Sequence, residues 1–183
     1  MNNKAYDLAF YSFSCGERVL VDTNIWLYLF PAPRNPLYRF AQQYSSAFSR
    51  LICAQAQPVL DPMVLSEYLN RYCRIEWGGN YKFKYPKFKD FRNSSDFSTV
   101  ASSAHTFAQK IINFCEIHSI PANEVNLVQA LLDFKNGNVD FNDAILVDIC
   151  KKLNLKLMTN DGDFKKGGID VLTTNPKLLR RCK

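Results

Sequence analysis

Apolar positions along the 183 residues fall into two patterns. Short, unbroken apolar runs that end abruptly in polar residues span Arg18 to Val21, Pro58 to Leu60, Leu155 to Thr159 and Ile169 to Leu172. Runs of this length, bounded by turn signals, predict buried strands. Between them the spacing is helical. Asn35-Pro36 offers an N-cap and a first-turn proline, and Leu37, Phe40, Ala41, Tyr44, Phe48, Leu51 and Ile52 continue the stripe to about Cys53. Asp61-Pro62 starts a second helix, which carries Glu67. From Asp96, the positions Val100, Ala104, Phe107, Ala108, Ile111, Phe114 and Cys115 predict a long amphipathic helix. Asn123 is placed to cap a helix through Leu132 to Phe134, stopped near Gly137. Asp140 or Asn142 caps a last one to about Leu153, apolar nearly all round at Ala144, Ile145, Leu146, Val147, Ile149 and Cys150, hence buried. Strands alternating with helices imply an α/β fold with a mainly parallel sheet covered on both faces.

The length fits one domain, 1–183, with a core large enough to need no covalent staples. Six cysteines, Cys15, Cys53, Cys73, Cys115, Cys150 and Cys182, include no C-x-x-C pair and several fall on apolar stripes, which predicts reduced thiols rather than a disulfide framework. No segment reaches the ~18 apolar residues of a membrane span. The N-terminus lacks the apolar run of a signal peptide, so a cytoplasmic protein with no membrane partner is expected.

The formal net charge of +6 is unevenly spread. Between Arg71 and Arg92 stand seven basic residues, Arg71, Arg74, Lys82, Lys84, Lys87, Lys89 and Arg92, against only Glu76 and Asp90. Seven aromatics share the stretch, Tyr81 and Phe83 among them. Interleaved lysines and rings offer a nucleic acid both phosphate contacts and stacking platforms. The same pattern fits an exposed hairpin with lysines toward solvent and aromatics packed inward. Gly78-Gly79 and Pro86 break regular structure here, so a basic aromatic insertion is expected at about 74–96.

The candidate chemistry lies in carboxylates placed where an α/β fold turns toward one edge of its sheet. Asp22 follows the first run in Val21-Asp22-Thr23-Asn24, and Glu67 sits in the first half of its helix. Asp140 and Asp143 open the helix at 140–153, and Asp161 and Asp163 follow the third run in Thr159-Asn160-Asp161-Gly162-Asp163-Phe164. Each has a plain structural use: Asp22 as a helix cap, Glu67 as an exposed helix acid, Asp140 with Asp143 as a capping box, Asp161-Gly162-Asp163 as a turn. Together they point elsewhere, because open parallel sheets bind ligands outside the carboxyl ends of their strands. Two carboxylates about 4 Å apart repel by roughly 4 kcal/mol at an effective dielectric of about 20. A hard divalent cation relieves that repulsion, and oxygen ligands without His or Cys favour Mg²⁺ or Mn²⁺ over zinc. With only His105 and His118, neither near a nucleophile motif, a catalytic triad has no support, and there is no Gly-rich phosphate loop. A haloacid-type phosphatase would need an acid at Asn24.

In order and local context these segments resemble the PIN domain nucleases over nearly the whole chain, with the toxin-like endoribonucleases of the VapC type as the nearest pattern. The resemblance implies a three-layer α/β/α sandwich and metal-binding, catalytic acids at Asp22, Glu67, Asp143 and Asp161. It gives Asp140 and Asp163 auxiliary parts, and has Asn24 and Thr159 hold carboxylates and water by hydrogen bonds from behind. It further implies a Mg²⁺- or Mn²⁺-dependent endoribonuclease that leaves 5′-phosphate and 3′-hydroxyl ends, with RNA as partner and DNA left open. An antitoxin protein and a homodimer are partners it allows. The alternative is a non-catalytic nucleic-acid-binding module on the same fold. The chain departs from the compact toxins in its length and in the segment from about Arg74 to Asp96.

Overall fold

The computed structural model describes residues 1–33, 40–118, 120–137 and 139–182. Six strands form one sheet: β1 (Lys4–Asp7), β2 (Arg18–Val21), β3 (Gln57–Leu60), β4 (Glu116–Ile117), β5 (Lys156–Met158) and β6 (Asp170–Thr173). Their order is β1-β6-β5-β2-β3-β4 and every pairing is parallel. Val19, Leu20 and Val21 of β2, Leu157 and Met158 of β5, and Val171 of β6 are all 0% exposed, as strands sandwiched between helical layers must be. The architecture is a three-layer α/β/α sandwich.

The helices are α1 (Thr23–Leu29), α2 (Ala41–Cys53), α3 (Pro62–Glu76), α4 (Phe88–Arg92), α5 (Asp96–Phe114), α6 (Leu127–Lys135), α7 (Phe141–Leu153) and α8 (Pro176–Arg181). Helix α7 buries Ala144, Ile145, Leu146, Val147, Ile149 and Cys150, as its all-round apolar pattern predicts, and ends at Asn154 in the left-handed conformation. Its packing requires Gly167. A Cβ there would stand 2.6 Å from a Val147 methyl, and φ is +139°. Asn3 holds the same loop, donating to the Phe164 carbonyl and accepting from the Ile169 N–H.

Several expectations need correction. Strand β1, with Lys4 and Asp7 among its four residues, is too polar to read as an apolar run, β4 has two residues, and α8 is a six-residue helix after the last predicted element. The cap of α6 is Asn126, whose side chain accepts from the Gln129 N–H, whereas Asn123 lies in a single 3₁₀ turn, Ala122–Glu124. The predicted helix start at Asn35-Pro36, with Leu37, lies outside the described residues.

The basic aromatic stretch holds no strand. Helix α3 runs on to Glu76, a π-helical turn covers Trp77–Tyr81, and α4 follows, so that α3 and α5 form a helical hairpin with this stretch as its tip. Most of the aromatics pack inward, as the hairpin reading expects, while Phe83 is fully exposed. Phe91 is fully buried, with Tyr81 stacked on it at 4.7 Å and Tyr85, Phe88 and Phe97 around it at 5.6–6.1 Å. The tip therefore has its own small core. All six described cysteines are free thiols. Among the described residues no helix is long and apolar enough to cross a membrane.

Candidate metal centre at the carboxyl edge of the sheet

Because all six strands run the same way, their carboxyl ends share one edge. Val21, Leu60 and Met158 are the last residues of three adjacent strands, and each is followed by a polar residue that the sheet no longer covers: Asp22, Asp61 and Thr159. Asp22 caps α1. One carboxylate oxygen accepts from the Thr23 N–H at 2.6 Å, and the other accepts from the Thr159 hydroxyl at 2.6 Å and from the Asn24 amide. Three hydrogen bonds occupy three of the roughly four lone-pair positions of a carboxylate. One position remains for a ligand.

Thr159, 0% exposed, is the hub behind Asp22. Its hydroxyl also accepts from the Asp161 N–H at 2.9 Å and from the Asn24 amide at 3.2 Å. Thus the two residues expected to support the acids, Asn24 and Thr159, do touch them. Asn24 reaches further, its carbonyl oxygen accepting from the Asn160 N–H at 3.0 Å. Glu67, on α3, accepts from the buried Thr23 hydroxyl at 3.1 Å and from Arg71 at 3.1 Å. Asp161 turns its own loop by accepting from the Asp163 N–H at 2.9 Å.

Asp143 stands in the first turn of α7, behind the cap Asp140, which accepts from the Asn142 N–H. The reciprocal bond of a capping box is absent: among the described residues nothing donates to the Asp143 carboxylate. Burial pushes its carboxyl up to about 8, and the charges of Asp22, Asp161, Asp140 and Glu67 add to the shift. Burial likewise raises Asp22 to about 6, helped by Glu67 and Asp161 and opposed by the bonds from Thr159 and Thr23. The acids therefore converge closely enough that the charges of Glu67 and Asp161 are felt at both Asp22 and Asp143. Asp163 does not join them; it is paired with Lys165 at 3.2 Å and its side chain is 75% exposed.

Among the described residues no three acidic, His or Cys side chains already form a ligand cage. The donor set nevertheless fits a hard divalent cation: oxygen donors only, two of them with carboxyls raised by burial and by neighbouring acids, and a free lone pair on Asp22.

The family pattern of the PIN domain matches residues 19–169. This chain belongs to the PIN domain family. PIN domains are, as a family, metal-dependent nucleases, and the acids of this one lie at the carboxyl edge of its sheet. Among solved structures the chain is similar to the crystal structure of PAE2754 from Pyrobaculum aerophilum, at 16% identity and a TM-score of 0.49, over 90% of this chain and 96% of that one. No curated protein matches it in sequence.

This PIN domain also uses residues that the sequence did not single out. Asn160 is fixed at every polar atom: its side chain accepts from the Tyr44 hydroxyl at 2.9 Å and donates to the Tyr28 hydroxyl at 2.9 Å, and its carbonyl accepts from the Asn175 amide at 2.7 Å. The signal was the hydroxyl on an otherwise apolar stripe, since a buried tyrosine needs a hydrogen-bond partner. Tyr44 is 0% exposed.

The residues expected to meet nucleic acid divide. Arg71 is engaged by Glu67, Lys84 is paired with Asp96 at 2.6 Å, and Arg74 lies over the Phe88 ring at 4.5 Å. Lys82, Lys87, Lys89 and Arg92 are exposed, as is Phe83, fully so. Tyr81 is a packing residue of the tip, not an open platform.

Proposed function

We propose that this protein hydrolyses phosphodiester bonds of RNA as a Mg²⁺- or Mn²⁺-dependent endoribonuclease, with Asp22, Glu67, Asp143 and Asp161 as the acids that hold the metal. The observation that carries the reading is the convergence of these four carboxylates at one sheet edge, where burial and mutual repulsion raise Asp22 and Asp143. A bound divalent cation would supply an activated water at neutral pH and offset charge on the leaving oxygen.

The chain's own residues do the positioning. Thr159 and Asn24 lock the Asp22 carboxylate in one orientation, so that its remaining lone pair faces the site. Thr23 does the same for Glu67. Asn160 ties the loop bearing Asp161 to Tyr28, Tyr44 and Asn24, which keeps the fourth acid in register with the first. The exposed lysines of the hairpin tip, with Phe83, are proposed to meet the nucleic acid outside the centre.

The test is incubation with RNA and DNA oligonucleotides with and without Mn²⁺, with Asp22→Asn as control. Metal-dependent cleavage of RNA by the native protein and none by the variant is the expected result. Binding without cleavage under all metals would assign the fold to a nucleic-acid-binding module.

A further inference from the structure

Four carboxylates at the entrance of a site that must admit a phosphodiester present an electrostatic difficulty, since a single divalent cation offsets only part of their charge. Cations close to the site would offset more of it. The hairpin tip lies beyond Trp77, ten residues along α3 from Glu67 and so about 15 Å further out at 1.5 Å per residue. That is roughly two Debye lengths at physiological salt.

A nearer set of cations exists on the other side of the centre. A cleft of about 910 Å³ is lined by Asp161, Lys165, Asn175, Lys177, Arg180 and Arg181, between the Asp161 loop and α8. Lys177, Arg180 and Arg181 are exposed, and among the described residues none of them has a carboxylate partner; Arg180 donates only to the Pro176 carbonyl of its own helix. Lys165 shares Asp163 at 3.2 Å. The cleft is rigidly joined to the centre. Asn175 donates to the Asn160 carbonyl at 2.7 Å and caps α8 by accepting from the Lys177 N–H at 2.9 Å. Gly162 faces α8 across ordinary van der Waals distance, a Cβ on it lying 3.6 Å from the Asn175 amide and 3.7 Å from Lys177. Cations and acid thus form one body.

We propose that this cleft is a phosphate track: the backbone of the nucleic acid substrate runs along Lys165, Lys177, Arg180 and Arg181 and reaches the acids past Asp161. The proposal rests on the nuclease reading for the identity of the ligand, and its chemistry is that of polyphosphate backbone, since four side-chain cations against Asp161 and Asp163 recognise repeated negative charge rather than a base or a sugar. Position distinguishes this surface from the tip, since its cations share one cleft with Asp161.

The experiment measures binding of one RNA oligonucleotide at several salt concentrations, in the full chain carrying Asp22→Asn. On single strands each phosphate contact contributes about −0.7 to the slope of log affinity against log salt. Replacing Lys165, Lys177, Arg180 and Arg181 by Ala should flatten the slope by up to roughly 3 units. The single change Lys177→Glu, on an exposed side chain, should weaken binding at least tenfold and keeps the test decisive if the fourfold variant does not fold. An unchanged slope with Lys177→Glu binding as the parent does would overturn the track, as would a failure of the parent to bind any oligonucleotide. Cleavage with Mn²⁺, assayed separately on the chain with Asp22 intact, reports on the nuclease reading alone: a salt-dependent binder that never cuts keeps the track and loses the enzyme, and a cutter with an unchanged slope does the reverse.

Discussion

The carboxyl edge of the sheet and the tip of the α3–α5 hairpin are both crowded with polar chemistry, and they treat charge in opposite ways. At the edge, Asp22 is 6% exposed and the hydroxyl that fixes it belongs to a fully buried threonine, and among the described residues only Glu67 of the four acids has a cation beside it, Arg71 at 3.1 Å. At the tip, what is buried is hydrocarbon, chiefly Phe91, while lysines and arginines face water or lie across rings and beside acids. Exposed charges of the second kind contribute little to stability and are free to meet a partner. A buried, unneutralised carboxylate is costly and persists only where hydrogen bonds hold it, which marks the edge as a place that expects a cation.

The largest contrast should appear in activity. Asp22→Asn or Asp143→Asn should reduce metal-dependent cleavage to background with the circular dichroism spectrum unchanged, because each substitution removes a charge and almost no volume; cleavage near the native rate by either would break the assignment of the edge. Next, Thr159→Val deletes the hydroxyl shared by Asp22, Asn24 and the Asp161 N–H. Removing such a supporting partner typically costs 10- to 100-fold in metal affinity or activity. A Mn²⁺ titration of the rate would show it, and no change would mean that Asn24 alone suffices.

The edge should also reveal itself through pH. In the metal-free protein Asp143 keeps its proton to about pH 8 and Asp22 to about pH 6, whereas both start from an ordinary value of 3.8 in the unfolded chain. The folded state thus binds the extra protons, so this contribution to stability is complete below the unfolded value and is lost as pH rises through the folded ones. Melting temperature should fall between about pH 5 and pH 8 without metal, and Asp143→Asn should flatten the decline. Mn²⁺ at a hundredfold excess over its dissociation constant should then restore about 2.7 kcal/mol to the native protein. An Asp143→Asn protein less stable than the native one when metal-free would instead make Asp143 a helix-start residue.

At the tip the effects should be smaller and confined to binding. Replacing Lys82, Lys84, Lys87 and Lys89 by Ala should flatten the salt dependence of RNA binding by about 2 units rather than 3, since Lys84 is already paired with Asp96. Smallest and most diagnostic are two single changes. Phe83→Ala should cost about 1 to 3 kcal/mol of binding with the melting temperature untouched. Tyr81→Ala should do the converse, lowering stability by roughly 1 kcal/mol through the lost stack on Phe91 and leaving affinity alone. If both behaved alike, the distinction between packed and presented rings would fail.

The sequence made the central sheet readable because β2, β3, β5 and β6 are buried on both faces and so are continuously apolar. It hid β1 and β4, which lie at the two margins of the sheet, where one side of a strand is free to be polar. Asp22 and Asp161 were legible from their place at strand ends and Glu67 and Asp143 from their helices, although the burial that perturbs Asp143 depends on how α7 packs, which periodicity alone does not convey. The network around Asn160 was illegible for a plainer reason: Tyr28, Tyr44 and Asn175 come from three elements whose proximity exists only after folding. The tip misled through Gly78-Gly79 and Pro86, which break an α-helix yet here accompany a π-helical turn and a short helix.

The sheet order has a consequence for the life of the molecule. Strand β2, which delivers the first acid, lies between β3 and β5, and β5 leaves the ribosome more than a hundred residues after it. Until then Asp22 has neither Thr159 behind it nor Asp161 beside it. The acids of the edge therefore come together only after most of the chain has been made, and a product that ends before β5 lacks both Asp161 and the hydroxyl that fixes Asp22.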